Sequence, residues 1–405
     1  MSGVSLANGF KILGVKSAKA IGMGEAFIVQ ADDPSAIAFN PAGLVQVRGT
    51  QVSTGATVMN GWASRESPTG MREDIIDKWQ AVPYSFFTSD MGREDVVAGI
   101  GVTAPNGLSS EWSDEGFARY VSTYSQLLLI DVNPSLGYKI NDYLSIGAGG
   151  SYYYSTATLE SMVDYGSLVG LPGRMDGKAK LKATGYAFGY NMGVLCKLDE
   201  KNSIAATFKS PFKARYEGSA KYTGVPGFLG LGSPLKTGVD TSIEFPAVVV
   251  LGYACKPMDR LKLEFNLDWT NWNTLDSVRI DFDDDRLNDA TFMYDYENTF
   301  AYKFGAEYSV NEDLKLRAGY IYNEQAVPQA NWRPSLPDTD SHFVCSGFGY
   351  KIGKVTIDGA AQVVFYEDKF INNNVDNNET LTSSSVDGKY ENFALAFSLG
   401  VTYKF

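Results

Sequence analysis

Histidine is nearly missing from this chain of 405 residues: there is one, His342. Cysteine is scarce as well. Cys196, Cys255 and Cys345 stand far apart, which suits neither a disulfide framework nor the spacing of zinc ligands, so no metal and no cofactor is expected. Basic residues are outnumbered 35 to 47, giving a formal charge of −12. An acidic chain is a poor binder of polyanions, which excludes nucleic acid as a partner. Long hydrophobic runs are lacking too. The longest candidate, FPAVVVLGYAC over Phe245–Cys255, has the length of a strand and falls short of the roughly 18 apolar residues a membrane-spanning helix needs. The N-terminus has no basic, apolar and small-residue order of a secretory signal, so an exported chain would already have lost it.

Aromatic residues and glycine fill the space these absences leave. Tyrosine occurs 24 times, phenylalanine 23 times and glycine 41 times, a mix that favours strands and turns. Mean hydropathy is −0.15. That value suits a soluble protein, and equally a transmembrane barrel whose strands alternate apolar outward and polar inward residues.

Alternation with a period of two dominates from residue 49 onward. RLKLEFNLDWTNW sets Leu261, Leu263, Phe265, Leu267 and Trp269 on one face, and Lys262, Glu264, Asn266, Asp268 and Thr270 on the other. The final ENFALAFSLGVTYKF does the same from Phe393 to Phe405. Short turns fall near Asp90–Glu94, Asn141–Asp142, Asp199–Asn202, Pro257–Arg260, Asn311–Asp313 and Ile352–Lys354. Longer connections fall near 61–79, 104–122, 161–179, 223–237, 281–290, 325–337 and 370–386. The runs between these breaks number about 14. Short turns at one end and long loops at the other are the signature of an all-β, antiparallel transmembrane barrel. The apolar face then meets lipid and the charged face lines the lumen. The segment INNNVDNNETLTSSSVDGK, from Ile371, is expected to be an outer loop.

Residues 1–48 break the pattern. In DDPSAIAFNPAGL, Asp33 can cap a helix that opens on Pro34, and Pro41 forces Asn40 out of helical geometry. The helix is too short to stand alone. A barrel of about 14 strands has a lumen too wide for side chains to fill, so residues 1–48 read as a plug and residues 49–405 as the barrel.

Several segments carry a family resemblance. They are GMGEAFIVQADDPSAIAF with Asn40-Pro41-Ala42, PNGLSSEW, DVNPSLGYKINDYLSIGAG, FKSPFKARYEGSA, IEFP, DWTNW and LPDTDSHFVCSGFGYKI. Over nearly the whole chain the sequence resembles the FadL family (OMPP1/FadL/TodX type) of outer-membrane transporters for long-chain fatty acids and other hydrophobic compounds. The resemblance implies a 14-stranded barrel in the bacterial outer membrane, an N-terminal hatch of short helices, a monomer, and passive transport. It implies capture by apolar outer loops, an inner pocket, and sideways exit through the wall into the membrane lipid. Phe405 is similar to the terminal aromatic that outer-membrane proteins offer to their assembly machinery.

Two outer loops are apolar where loops should be polar. One holds Val163, Leu168, Val169 and Leu171; the other holds Val225, Phe228, Leu229 and Leu231. A contiguous apolar patch marks a binding site, and a capture groove between these loops is expected; the competing reading is that the two only pack on each other. Lumen-pocket candidates are Ile37, Phe39, Asn40, Pro41 and Ala42 of the plug, with Leu127 and Leu129 of the fourth strand. A carboxylate ligand would want a cation, for which Lys303 and Arg317 are the candidates; ordinary lumen charges balanced by Glu264, Asp268 and Glu307 are the competing reading. Gly99, Gly101 and Pro105 of the third strand suggest a bulge or kink, and the resemblance puts the wall opening there.

An enzyme is not expected. His342 has Ser341, Ser346, Asp338 and Asp340 nearby, but no GxSxG elbow is present. DFDDDRLND lacks the glycine and closing glutamate of a calcium loop. The competing function is a general diffusion porin or a channel for polar solutes.

Overall fold

The structure, a computed structural model, describes residues 7–373 and 386–405. Much of the tail expected as an outer loop, residues 374–385, lies outside the described residues.

Fourteen antiparallel strands close into a barrel. They are β1 Gln51–Glu66, β2 Gln80–Ser89, β3 Val96–Glu111, β4 Tyr124–Lys139, β5 Leu144–Asp164 and β6 Asp176–Lys197. Four strands come in two pieces: β7 Asn202–Lys209 and Phe212–Thr223, β8 Leu235–Phe245 and Val248–Met258, β9 Leu261–Thr270 and Ser277–Phe282, and β10 Ala290–Met293 and Thr299–Ser309. β11 Leu314–Asn323, β12 Ser341–Ile352, β13 Val355–Tyr366 and β14 Gly388–Lys404 complete the wall. β14 pairs with β1 from Lys389↔Glu66 to Lys404↔Gln51, which closes the ring and removes the free edges that hydrocarbon would not tolerate.

All six short turns lie where the sequence places them. Several long loops are shorter than expected, because β3, β5 and β6 run on into the stretches read as loop, whereas the loop between β11 and β12 is longer, from 324 to 340. Above the hydrocarbon both faces of a strand meet water or protein, so the apolar and polar alternation that betrays a strand fades.

Facing follows the alternation. Leu263, Leu316, Phe397 and Leu399 point outward and are exposed, while Glu264, Asn266, Asp268 and Glu307 point inward and are buried. What buries them is the N-terminal segment. It enters near the outer end, where Phe10 packs edge-on to Trp272 at 6.2 Å. It descends through α1 Ala18–Gly22, α2 Ala36–Phe39 and a 3-10 turn over Pro41–Gln46. It leaves at the inner end, where Arg48 donates to the Glu94 carbonyl and Gly49 N to Asp90, each at 2.7 Å.

Two contacts explain why glycines stand opposite this segment. Gly24 has a φ of +60° and lies against the backbone of Gly319 on β11, where a Cβ would collide. Gly193 on β6 faces Asn40 Oδ1, and a Cβ there would overlap that oxygen. Asn40 is extended, with φ −149° and ψ 104°, as the following proline requires. Its side chain accepts from Ala42 N at 3.0 Å and donates to the Ile28 carbonyl at 2.8 Å. Asp33 Oδ1 accepts from Ser35 N at 2.8 Å, capping the turn that leads into α2.

Candidate functional site

Two proline breaks build a cavity. In β7, Ala205 and Thr207 point inward before Pro211, and Ala214 and Tyr216 point inward after it, so the inward set changes from odd to even positions. β8 changes in the same way across Pro246: Leu235, Val239 and Phe245 point inward before it and Val250 after it. An extra residue in a strand has this effect, because the side-chain period is two. The breaks are neighbours, since Lys209 pairs with Val248 and Phe212 with Phe245. Between them and the N-terminal segment lies a cavity lined by Phe212, Phe245, Pro246, Val248 and Val250 from the wall, and by Ile28, Ala38 and Phe39 from the segment. Tyr153 stacks on Phe212 at 4.0 Å, and Phe212 on Phe245 at 4.7 Å. One side of the cavity is therefore a stack of three rings.

The other side is cationic. Lys11, Lys16, Lys209 and Lys303 line it, with Glu25 and Asp268 as the lining carboxylates. Lys303 bonds Asp268 at 2.8 Å and Glu25 at 3.3 Å, and Lys11 bonds Asp268 at 3.2 Å. Among the described residues, Lys16 and Lys209 form no salt bridge. Lys16 Nζ instead lies 5.0 Å from the centroid of the Phe39 ring. Asp131 acts on Lys209 from a distance, and its Oδ1 is buried without a hydrogen-bond partner. Even with Asp131 counted, cations outnumber carboxylates at this cavity.

The wall beside the cavity is interrupted. The ladder between β2 and β3 holds only from Ser85↔Val102 to Ser89↔Ala98, whereas β1 pairs with β2 from Thr88 up to Gln80. Above Val102 the pairing of β3 with β4 slips between Thr103 and Asn106. The free side of β3 is met there by the N-terminal segment: Asn106 pairs with Lys11, and Gly107 N donates to the Phe10 carbonyl at 2.9 Å. Higher still, Ile76 N donates to the Glu111 carbonyl at 2.8 Å. The two strand edges between these closures carry Pro83 and Pro105, neither of which has an N–H to donate. Pro105 and Asn106 also line the cavity.

The residues singled out in the sequence divide accordingly. Phe39 and Lys303 line the cavity, although Lys303 is fully paired. Arg317 does not; it bonds Glu307 at 2.8 Å and Asp358 at 2.6 Å. Ile37 packs on β3 at Gly99 and Gly101, where any Cβ would meet its side chain. Those two glycines sit in the regular β2–β3 ladder, and the slip comes later, at Pro105. Asn40, Pro41 and Ala42 are buried against β5 and β6, where Gly147 and Gly193 receive them. Leu127 and Leu129 join a buried cluster that includes Phe10, Tyr153 and Phe245. In the outer loops, Val163, Val225, Leu229 and Leu231 gather around Tyr165 and Leu235, while Leu168, Val169, Leu171 and Phe228 are about half exposed at its rim. His342 faces outward and accepts or donates with Tyr320 at 2.7 Å, on the opposite face from the buried Ser341. The acidic loop is tied by arginine: Arg279 bonds Asp281 at 2.6 Å and Asp289 at 2.7 Å.

Sequence reasoning missed Lys16, Lys209 and the ring stack. The signal available was the pair of prolines, in KSPF and EFPA, within otherwise alternating runs.

A closed barrel with an apolar outward band and a filled lumen defines a transmembrane β-barrel protein of the outer-membrane kind. The family model for "Outer membrane protein transport protein (OMPP1/FadL/TodX)" matches residues 1–405, and the chain belongs to that family. The long-chain fatty acid transport protein of Escherichia coli K12 is 23% identical, with 82% of each chain covered. Among solved structures, a Pseudomonas aeruginosa FadL homologue superposes with a TM-score of 0.85 at 20% identity, over 98% of this chain and 100% of that one. The Ralstonia pickettii toluene transporter TbuX superposes with a TM-score of 0.74 at 19% identity, over 95% and 97%. The fold is thus shared with those barrels, and the chain belongs to a family of outer-membrane transport proteins.

Proposed function

We propose that this protein takes up long-chain fatty acids, or similar amphiphiles with an anionic head, by passive diffusion. The observation that carries this reading is the pairing, in one cavity, of the Tyr153–Phe212–Phe245 stack with Lys16 and Lys209, two ammonium groups without a salt-bridge partner. A buried cation without a partner is costly, and a bound carboxylate would satisfy it while its tail covers the rings.

The route follows from the neighbouring features. The apolar rim of Leu168, Val169, Leu171 and Phe228 collects the ligand from outside, over the floor formed by Val163, Val225, Leu229 and Leu231. Residues 1–48 act as a hatch that holds the cavity against the wall. Exit is sideways into the outer leaflet, where β2 and β3 part between Pro83 and Pro105. In this scheme Asn40-Pro41-Ala42 anchors the hatch and does not touch the ligand.

Uptake into proteoliposomes tests the reading. Oleate should enter with saturable kinetics, and Lys16→Gln with Lys209→Gln should reduce its uptake by about tenfold or more while hexadecane uptake stays the same. Equal loss for both ligands would mean that the lysines serve only the structure. Faster passage of sugars than of oleate would favour a diffusion porin instead.

A further inference from the structure

The outward wall carries a row of lysines that transport does not use. On β6, Lys178, Lys180 and Lys182 share the lipid-facing side with Tyr186 and Phe188, which are 61% and 72% exposed. Lys221 on β7 stands directly opposite Lys180 on one flank and Lys236 of β8 on the other. Like charges directly opposite in a sheet destabilise it. Glu160 bonds Lys178 and Lys180, and Asp114 bonds Lys178. Among the described residues, Lys182, Lys221 and Lys236 have no salt bridge at all, in a chain that is acidic by 12 charges. The nearest outward acids on β7 and β8, Glu217 and Asp240, lie opposite each other four residues closer to the membrane, about 13 Å along the strand.

Height identifies the occupant. Lys182 lies four residues beyond Tyr186, and the Lys180–Lys221–Lys236 row six residues beyond. At ~3.3 Å per residue and a tilt near 45°, that is roughly 9 Å and 14 Å above the aromatic edge. The head-group layer of a glycerophospholipid reaches only about 5–8 Å past the hydrocarbon. A phosphorylated sugar head, stacked above its acyl chains, reaches further.

We propose that Lys182, Lys221 and Lys236, with Lys180 beside them, bind phosphate groups on the sugar head of a glycolipid in the outer leaflet, holding one such lipid against β6–β8. Phosphate offers acceptor oxygens to several ammonium donors at once and cancels the repulsion along the row. The site lies on the outside of the wall and does not depend on the identity of the transported ligand.

Binding of detergent-solubilised barrel to lipopolysaccharide, measured against phosphatidylglycerol bicelles, tests this. The Lys182→Gln, Lys221→Gln, Lys236→Gln variant should bind lipopolysaccharide about 10- to 100-fold more weakly. A control variant at the opposite rim, Lys201→Gln, Lys351→Gln, Lys354→Gln, should bind as the unmodified protein does. Folding is read from the slower migration of the heated chain on a gel. Enzymatically dephosphorylated lipopolysaccharide should bind the unmodified protein as weakly as the intact glycolipid binds the triple variant, which gives the same reading without any substitution. Unchanged affinity in the triple variant would overturn the site. So would an equal, lysine-dependent affinity for phosphatidylglycerol, since the row would then sense any anionic lipid surface.

Discussion

From β9 to β13 the wall grips the N-terminal segment with paired charges and close backbone. Glu264 accepts from Val29 N and Gln30 N, both at 2.8 Å. Glu307 accepts from Gln30 Nε2 at 3.1 Å and from Arg317, which also reaches Asp358. Across the lumen, from β2 to β8, the wall is loosened. A ladder stops early, two strands break at proline, and two lysines lack salt bridges. Both sides are lined by charge, so charge alone does not mark the working side. What separates them is whether each charge and each backbone edge has its partner already. The satisfied side holds the segment by charge at Val29 and Gln30; the other side also receives it, at Ile37 and Asn40–Ala42, but leaves room for a ligand and an exit.

The largest effect should come from breaking the satisfied side. Arg317→Ala strands the buried Asp358 and takes one cation from Glu307, which keeps Lys315 at 3.2 Å, and loss of one partner in a buried ion network costs about 3–5 kcal/mol. The heat needed to unfold the barrel should fall clearly, while oleate uptake per folded barrel changes little. Asn40→Ala comes next. It removes the Ala42 cap and the bond to the Ile28 carbonyl and leaves both groups buried, at about 1–3 kcal/mol. Here too stability should suffer before transport does; lost uptake in a barrel of normal heat stability would instead make Asn40 part of the gate.

The loosened side is tested by mending it. Pro83→Ala with Pro105→Ala restores one N–H on each free edge. At about 1 kcal/mol per hydrogen bond gained, the ladder should extend upward, and oleate uptake should drop by up to roughly tenfold with stability equal or higher. Faster uptake would rule out this gap as the exit.

These contrasts explain what could be read in the sequence. The strand count, the turns and the facing of Leu261 to Thr270 were legible because lipid on one side and lumen on the other enforce a strict alternation. Lys303 and Arg317 were legible as lumen cations, and the competing reading, balance by Asp268 and Glu307, is the pairing the structure shows. Their further partners Glu25 and Asp358 were not legible, because nothing in the sequence ties them to these strands. Lys16 was invisible for the opposite reason: its significance is a missing partner, and that exists only once the fold has placed every carboxylate. Gly99 and Gly101 suggested a bulge, yet they serve the close approach of Ile37, and the slip falls at Pro105. A glycine in a strand fits either use, and only the packing decides between them.

The smallest expected effect concerns Asp338, which ties the segment to the outer loop between β11 and β12. Its Oδ2 accepts from Ala326 N at 2.7 Å, Val327 N at 3.3 Å and Gly9 N at 3.4 Å, and its Oδ1 is buried without a hydrogen-bond partner. Burial pushes the carboxyl up to about 6, against the three N–H groups, which favour the charged form. A carboxyl whose pKa rises on folding adds stability that is fully present below its ordinary value near 4 and is lost as pH rises through about 6. The loop should therefore be held more firmly at pH 5 than at pH 7.5. Trp332, buried with its indole N–H bonded to the Asp338 carbonyl at 3.1 Å, reports on this directly through its fluorescence. Only the loop opens, so barrel melting should barely move, whereas proteolysis of the loop in the folded barrel should be several-fold faster at pH 7.5. Asp338→Asn keeps an acceptor for the N–H groups and removes the charge. It should abolish the pH dependence of both signals; the same dependence in the variant would mean that another group is titrating.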